Sequence, residues 1–433
     1  MIYWAPLFHF YQPPTQTPSI LMKVSNESYR PVLEIFDEFP HAKATINING
    51  TLTEMFWLCG YTDILSRMSK LAERGQIEFT NSGKYHPILP LIPKEEVERQ
   101  IRLNYVTNRQ YLGDVYSPRG FFPPEMCYSK GIVESIIESR HEWIILSGIA
   151  CPVAWPMDVI HEIDYLHCNI AVFFRDDILS NKISFKNIDG RGFIEHLRQL
   201  HQGEGDIYVI TAMDVETFGH HIQHWDKLFL SQVYETLVPK ADSKGGMQEQ
   251  KPLAEQHRIL FEYEKVGTEK EIEIVTISEL LTKFPRGSKI DPKPSSWSTS
   301  ADDIRMQNYY PLWKDKNNPV HTMQWEHLDI TIEVTYKAMV VADNDASRQF
   351  VSIARDTLDR AFHSCQFWWA SKKPMWDVNM IYRGLTLQRE VLLNAYKAIS
   401  LSNCDQTIKK EYYYKVLAAR HIFDQITDYL YTD

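Results

Sequence analysis

A chain of 433 residues with 44% hydrophobic side chains can bury one large α/β core plus a second unit. Its formal net charge of -10, with no long Lys/Arg block, argues against nucleic acid as a partner, and no apolar run approaches the roughly 20 residues needed to span a membrane. Six scattered cysteines without a Cys-x-x-Cys pair signal neither a zinc cluster nor a disulfide framework, so they are expected to be reduced and mostly buried.

Short apolar runs of β type alternate with helical patterns from the first residue to about 285, the pattern of a parallel sheet. Strands are expected at 2–10, 43–48, 76–81, 119–122, 142–146, 169–175, 206–213 and 272–276. Helices are expected at 51–74, 93–112 and 225–237, with Pro93 in a first turn. Seven or eight such strands imply a barrel. His9 follows Met1 so closely that a cleavable leader has no room, which gives a cytoplasmic expectation.

Residues 241–251 read as a polar surface loop, and 284–300, rich in Pro and Ser, end the α/β pattern. Beyond them, 320–339, 346–370, 378–401 and 406–431 carry helix-period apolar residues and predict a bundle packed beside the barrel. The expected organisation is a catalytic barrel over 1–300 and a helical bundle over 301–433 that contributes to its cleft.

Two acidic residues each follow an apolar, strand-like run: Glu125 in Gly120-Phe-Phe-Pro-Pro-Glu-Met126 and Asp214 in Thr211-Ala-Met-Asp-Val-Glu216. Carboxylates at the C-terminal edges of parallel strands converge on the rim of a barrel, where active sites are built. Two of them suit acid and nucleophile work on a glycosidic bond. Each also has a plainer reading, a loop carboxylate for Glu125 and a helix cap for Asp214.

Four stretches give the chain a resemblance to glycoside hydrolase family 57, retaining enzymes active on α-glucans. His9-Phe-Tyr-Gln-Pro13 is similar to the family's first motif, His-x-His-Gln-Pro, and Gly75-Gln-Ile-Glu78 with Tyr85-His-Pro-Ile-Leu-Pro90 to its second. Gly120-Phe-Phe-Pro-Pro-Glu-Met126 is similar to the third, whose Glu is the nucleophile, and Met213-Asp-Val-Glu-Thr-Phe-Gly-His-His221 to the fourth, whose Asp is the acid/base. The resemblance implies an incomplete (β/α)7 barrel followed by a helical bundle. It implies Glu125 and Asp214 as the reacting carboxylates, an α-glucan or oligosaccharide as substrate, and no metal or organic cofactor.

Two departures stand out. The second His of the first motif is Tyr11, a phenol that donates a hydrogen bond but stays neutral at pH 7. The fifth motif, on the bundle, is echoed only by His363-Ser-Cys-Gln-Phe-Trp-Trp-Ala370, which carries no acid. There His363, Gln366 and Ala370 share one face if the segment is a continuous helix, with Trp368 and Trp369 splitting to either side. That face either closes the cleft or packs the bundle.

Further sugar-binding candidates are His9, Tyr11, Glu78, His86, Glu216, His220, His221, Gln366 and Trp368. Glu78 lies inside a strand, where a buried charge needs a partner or a cleft, and otherwise points outward. His9 and His86 read equally as satisfied core histidines. Glu216 either raises the pKa of Asp214 by like charge or starts a helix. A competing reading, a metal-dependent polysaccharide deacetylase, rests on His220-His-Ile-Gln-His224, whose outer histidines share a face on a helix and bind zinc with Asp214. A non-catalytic glycan-binding relative is the third reading, disfavoured because both acids are present.

Overall fold

A computed structural model describes residues 1–165, 168–200, 205–238, 271–373 and 376–432. The polar loop expected at 241–251 lies outside them. Among the described residues one curled sheet has ten strands: β1 Ile2–Phe10, β2 Ala44–Ile48, β3 Ile77–Asn81, β4 Gly120–Phe121, β5 Trp143–Ser147, β6 Ile160–Tyr165, β7 Cys168–Arg175, β8 Ile207–Asp214, β9 Ile272–Ile274 and β10 Arg286–Ile290. The order is β10-β6-β7-β5-β4-β3-β2-β1-β8. From β8 through β1 to β7 every neighbour is parallel. These strands are covered on both faces, by helices outside and packed side chains inside, and the polar residues that alternate along β2 and β3, Thr45, Asn47, Glu78 and Thr80, are hydrogen-bonded. The result is an incomplete (β/α)7 barrel, open between β7 and β8.

β9 pairs the lower half of β1, while β2 pairs its upper half from Leu7 onward. The helix Ile277–Lys283 that follows β9, started by a Thr276–Glu279 capping box, packs Ile277 and Leu280 with Leu7, Trp143 and Phe173 inside the barrel. The N-terminal end is thereby filled, and the C-terminal end is left for a site.

Two strands escaped expectation. β6 runs antiparallel to β7, and β10, parallel to β6, lies inside the Pro/Ser-rich break, so the sheet continues past 285. β10 is the edge strand and β6 its neighbour, and both are largely polar with partly exposed side chains, so neither carries an apolar run to read. The expected 51–74 helix is two, Gly50–Leu58 and Thr62–Glu73, parted at Gly60 with φ +78°. Pro93 caps the Lys94–Leu112 helix rather than lying in its first turn.

The helices Pro319–Val341, Val378–Leu401 and Gln406–Thr432 match expectation. The 346–370 segment does not. Its helix Asp345–Ala361 stops, the chain turns at Phe362–Ser364, and a short helix Cys365–Trp368 follows. The break is made by tertiary pairing, since His363 bridges to Pro87 and Ser364 N–H donates to His86 O at 3.1 Å. Leu328, Leu358, Val391 and Ala395 share the bundle core. A buried ion network ties the bundle to the Lys94–Leu112 helix: Arg355 grips Glu96 at 2.7 and 2.8 Å, and Asp359 takes Arg99 and Arg355. All six cysteines are free, but only Cys127 is fully buried, and Cys59 and Cys168 are exposed. No described helix is long and apolar enough to cross a membrane.

Candidate active site

Glu125 is aimed by local sequence. Gly120 is required because a Cβ there would lie 2.0 Å from the Trp143 indole, which crosses the β4 backbone to reach Ser278. Pro123 and Pro124 fix the next two φ angles, and Glu125 and Met126 then take φ +58° and +48°. Left-handed conformations cost of order 1 kcal/mol or more in a non-glycine residue and persist only where surrounding bonds enforce them. Here Met126 N–H reaches Pro123 O at 2.7 Å and Trp297 N–H reaches Glu125 O at 3.1 Å. The Trp297 indole N–H donates to Glu125 Oε2 at 2.8 Å, and His86 Nδ1 lies 3.6 Å from Oε1. The Glu125 side chain is 16% exposed, so it can be reached from the cleft.

Stacked rings line one wall. Tyr11 lies on His86 at 3.9 Å, His86 on His9 at 5.0 Å, and His9 on Phe122 at 4.9 Å. His9 Nδ1 is 2.7 Å from Asn47 Oδ1, and Asn47 donates to Thr80 at 2.9 Å, so the Nδ1–H tautomer fits the chain of donors. Burial lowers His9 to about 4 and takes His86 well below its ordinary value, so both rings are neutral at pH 7. His86 is 0% and His9 3% exposed, so of the three rings Tyr11 presents surface to the cleft and the two neutral imidazoles back it.

Asp214 ends β8, level with His9 in the β1–β8 register. Glu216 lies behind it, 5% exposed, accepting from Gln12 Nε2 at 3.0 Å and from the Tyr29 hydroxyl. Arg175 ends β7, and its positive charge lowers Asp214 against the dominant effect of burial. Burial first, then repulsion from Asp214, pushes Glu125 and Glu216 up to about 8, while Asp214 is raised to about 6. Three carboxyl groups thus crowd one poorly hydrated mouth, and the sheet brings Glu125 and Asp214 within reach of each other's charge. Such a pair can hold one proton at neutral pH and offer one acid and one base.

The model of glycosyl hydrolase family 57 matches residues 8–287. The chain belongs to glycosyl hydrolase family 57. A 4-alpha-glucanotransferase of Thermococcus litoralis is 28% identical over 69% of this chain and 42% of its own length. An alpha-amylase of Pyrococcus abyssi is 26% identical over the same shares. The matched stretch therefore spans less than half of these curated relatives. Among solved structures, a GH57-type branching enzyme from Pyrococcus horikoshii aligns over 98% of this chain and 95% of its own at 15% identity and TM-score 0.68. The Thermococcus litoralis 4-alpha-glucanotransferase aligns over 92% and 59% at 20% identity and TM-score 0.66. These likenesses show a shared fold.

In this family 57 chain the structure gathers His9, Tyr11, His86 and Glu216 around the two acids and places others elsewhere. Glu78 is two residues deeper in β3 than Thr80, and it accepts from Thr45 Oγ1 at 2.7 Å and from Ser278 N–H at 3.0 Å. It caps the first turn of the plug helix, a structural partner that displaces the expected sugar contact. Gln366 is fully buried, bonded to Ala361 O, His363 O and Gln388, with Gly384 giving it room. That is a polar knot inside the bundle, and because 346–370 is not one helix, the expected His363-Gln366-Ala370 face does not form. Trp368 packs on the bundle core and edge-on to Trp369 at 4.6 Å.

After Asp214 the chain makes a 3-10 turn at Val215–Thr217, and the next helical element begins at Asp226. His220 and His224 therefore share no helix face. His220 instead bonds Glu27 at 2.6 Å, and His221 is exposed. Gly219 lets this turn meet Glu27, whose carbonyl lies 1.9 Å from where a Cβ would stand. Among the described residues no cluster of three His, Cys, Asp or Glu is set to hold a metal, and the deacetylase reading loses its helix. Sequence reasoning missed Trp297, Arg175, Gln12 and Tyr29. Gln12 belongs to the first motif and Arg175 ends a strand as Asp214 does, which were usable signals.

Proposed function

We propose that this chain is a retaining glycoside hydrolase or transglycosylase of α-linked glucan, with Glu125 as nucleophile and Asp214 as acid/base. The observation that carries the reading is the Glu125–Asp214 pair at the open end of the barrel, with the Trp297 N–H on Glu125. Glu125 attacks the anomeric carbon while Asp214 protonates the departing oxygen, which gives a glycosyl-enzyme. Asp214, now charged, takes the proton of water or of an acceptor sugar hydroxyl as that oxygen bonds the anomeric carbon and the bond to Glu125 breaks, which returns Glu125 to its carboxylate. Tyr11, backed by the buried, neutral rings of His86 and His9, supplies a stacked wall for the sugar. The 28% identity with a 4-alpha-glucanotransferase and 26% with an alpha-amylase support an α-glucan as substrate and leave both acceptors open to test.

The reading takes 1–300 as the catalytic barrel and 301–433 as the bundle that closes one wall through Ser364, whose hydroxyl meets His86 Nδ1 at 2.8 Å. Six free cysteines, two of them exposed, support a reducing compartment and thus the cytoplasm. The test is incubation with maltooligosaccharides and amylose followed by product sizing. Shorter products mean hydrolysis, a redistributed ladder means transfer, and new branch points mean branching. Glu125→Gln and Asp214→Asn should each lower turnover by about 100-fold or more. Normal turnover in either variant would refute the assignment, and sugar binding without wild-type turnover would make the chain a binding relative.

A further inference from the structure

The open side of the barrel lies next to the acid. β7 and β8 share no ladder, and two bonds join their upper ends: Asp176 N–H to Ile210 O at 2.8 Å and Arg175 Nε–H to Ala212 O at 2.7 Å. Arg175 is 4% exposed. Its Nη1 donates to Asp177 Oδ1 at 2.8 Å and its Nη2 to Asn181 Oδ1 at 2.9 Å. Asp177 is itself anchored, since its Oδ2 accepts from Ser147 Oγ at 2.8 Å and Ile149 N–H at 3.0 Å at the end of β5. All three guanidinium nitrogens are engaged, so a side chain with many rotamers is reduced to one. The guanidinium carbon also lies 5.7 Å from the Trp297 ring centroid, within cation–π range, and that indole is the donor to Glu125.

A neutral amide at this position has one NH2 group and could donate to Ala212 O without a charge, but not hold all three acceptors. The chain instead buries a cation, whose partner Asp177 lies on the β5 side.

We propose that Arg175 is the positioning residue for Asp214, closing the β7–β8 gap two residues before the acid and joining that strand to the indole that holds Glu125. Its fixed charge keeps Asp214 able to ionise for the second half of the reaction, when it must act as a base. The inference rests on the acid/base reading of Asp214. The other groups that bear on Asp214 are Glu125 from the β4 loop, Glu216 from its own turn, Tyr29, Cys365 and, by register, His9. Burial drives Asp214 up, and Arg175 is the group that opposes it.

The first measurement needs no substrate, so it stands or falls apart from the proposed reaction. The Asp214 carboxyl is titrated by carbon-detected NMR in wild type, Arg175→Gln and Arg175→Lys, with circular dichroism confirming the fold. In Arg175→Gln the midpoint should rise by about one unit or more, the size of effect expected on removing a nearby opposite charge. In Arg175→Lys, which keeps the charge but not the three-way fork, it should stay within about 0.3 units. Turnover of an activated aryl α-glucoside by Arg175→Gln should then show a burst of leaving group followed by a slow phase, because glycosyl-enzyme accumulates when the base is not ionised. An unmoved midpoint in folded Arg175→Gln, or slowed turnover with no burst, overturns the proposal. If Arg175→Gln does not fold, Arg175→Lys decides: a loss of kcat of about tenfold or more with KM within twofold supports positioning, and wild-type kcat refutes it.

Discussion

Replacing Trp297 by Phe keeps a ring against His9 and Phe122 but removes the N–H that meets Glu125 Oε2 at 2.8 Å. A hydrogen bond to a charged group contributes about 1.5–3 kcal/mol. The carboxylate is 16% exposed, so water can partly replace the lost donor, and the low end applies. About 1.4 kcal/mol is one pKa unit, which would carry Glu125 upward from about 8 to roughly 9. With Asp214 near 6, the one proton the pair keeps at pH 7 already rests mainly on Glu125, so the productive arrangement, charge on Glu125 and proton on Asp214, is the minor form. Trp297→Phe makes it about tenfold rarer. The assay is kcat/KM on a maltooligosaccharide from pH 5 to 10, beside a thermal melt. We expect a fall of about tenfold at pH 7, an alkaline limb displaced upward and a melting temperature close to wild type. An unchanged profile in the folded variant would refute the claim that this indole supports the nucleophile.

Two further predictions follow from the same networks. Wild-type kcat/KM should be bell-shaped between about pH 6 and about pH 8: below the first value both carboxyls are protonated and no nucleophile is charged, and above the second neither holds a proton for the leaving oxygen. A flat profile across that range would contradict the pair. Arg355→Ala should destabilise the fold by about 3–5 kcal/mol in chemical denaturation, because Glu96, 2% exposed, keeps only the Tyr336 hydroxyl at 2.8 Å against its buried charge. A loss under about 1 kcal/mol would mean that the joint between barrel and bundle is not held there.

The barrel strands are legible because each is a short β-type run between turn signals, largely apolar in β5 and alternating in β2 and β3: 2–10 agrees to the residue, and β2, β3, β5, β7 and β8 to within one. Elements decided by distant partners were not. β10 is a polar strand stabilised by pairing with β6, and the end of the Asp345–Ala361 helix is imposed by Pro87, far away in sequence. Glu78 looked like a cleft carboxylate because a charge inside a strand needs a partner, but the partner is a helix N–H 200 residues downstream. Trp297 has no periodic context at all. It stands among Ser and Pro in a segment whose backbone serves to pair Ser295 with Tyr128 and so to bring the indole over Glu125.

Three carboxyl groups in one mouth would be an electrostatic liability if their surroundings were alike, and each has been given a different companion. Glu125 has a neutral donor, the Trp297 indole. Glu216 has two, Gln12 and the Tyr29 hydroxyl, and keeps its raised value because it faces Asp214 in a dry pocket. Asp214 has the cation, Arg175, and is the least raised of the three. A group raised only to about 6, and so nearest to neutrality from below, can give up a proton and take one back within a single turnover, and that is the demand a retaining mechanism makes of its acid/base and of neither other carboxylate. The division of labour therefore follows from the companions each strand end supplies, more than from the identity of the acids themselves.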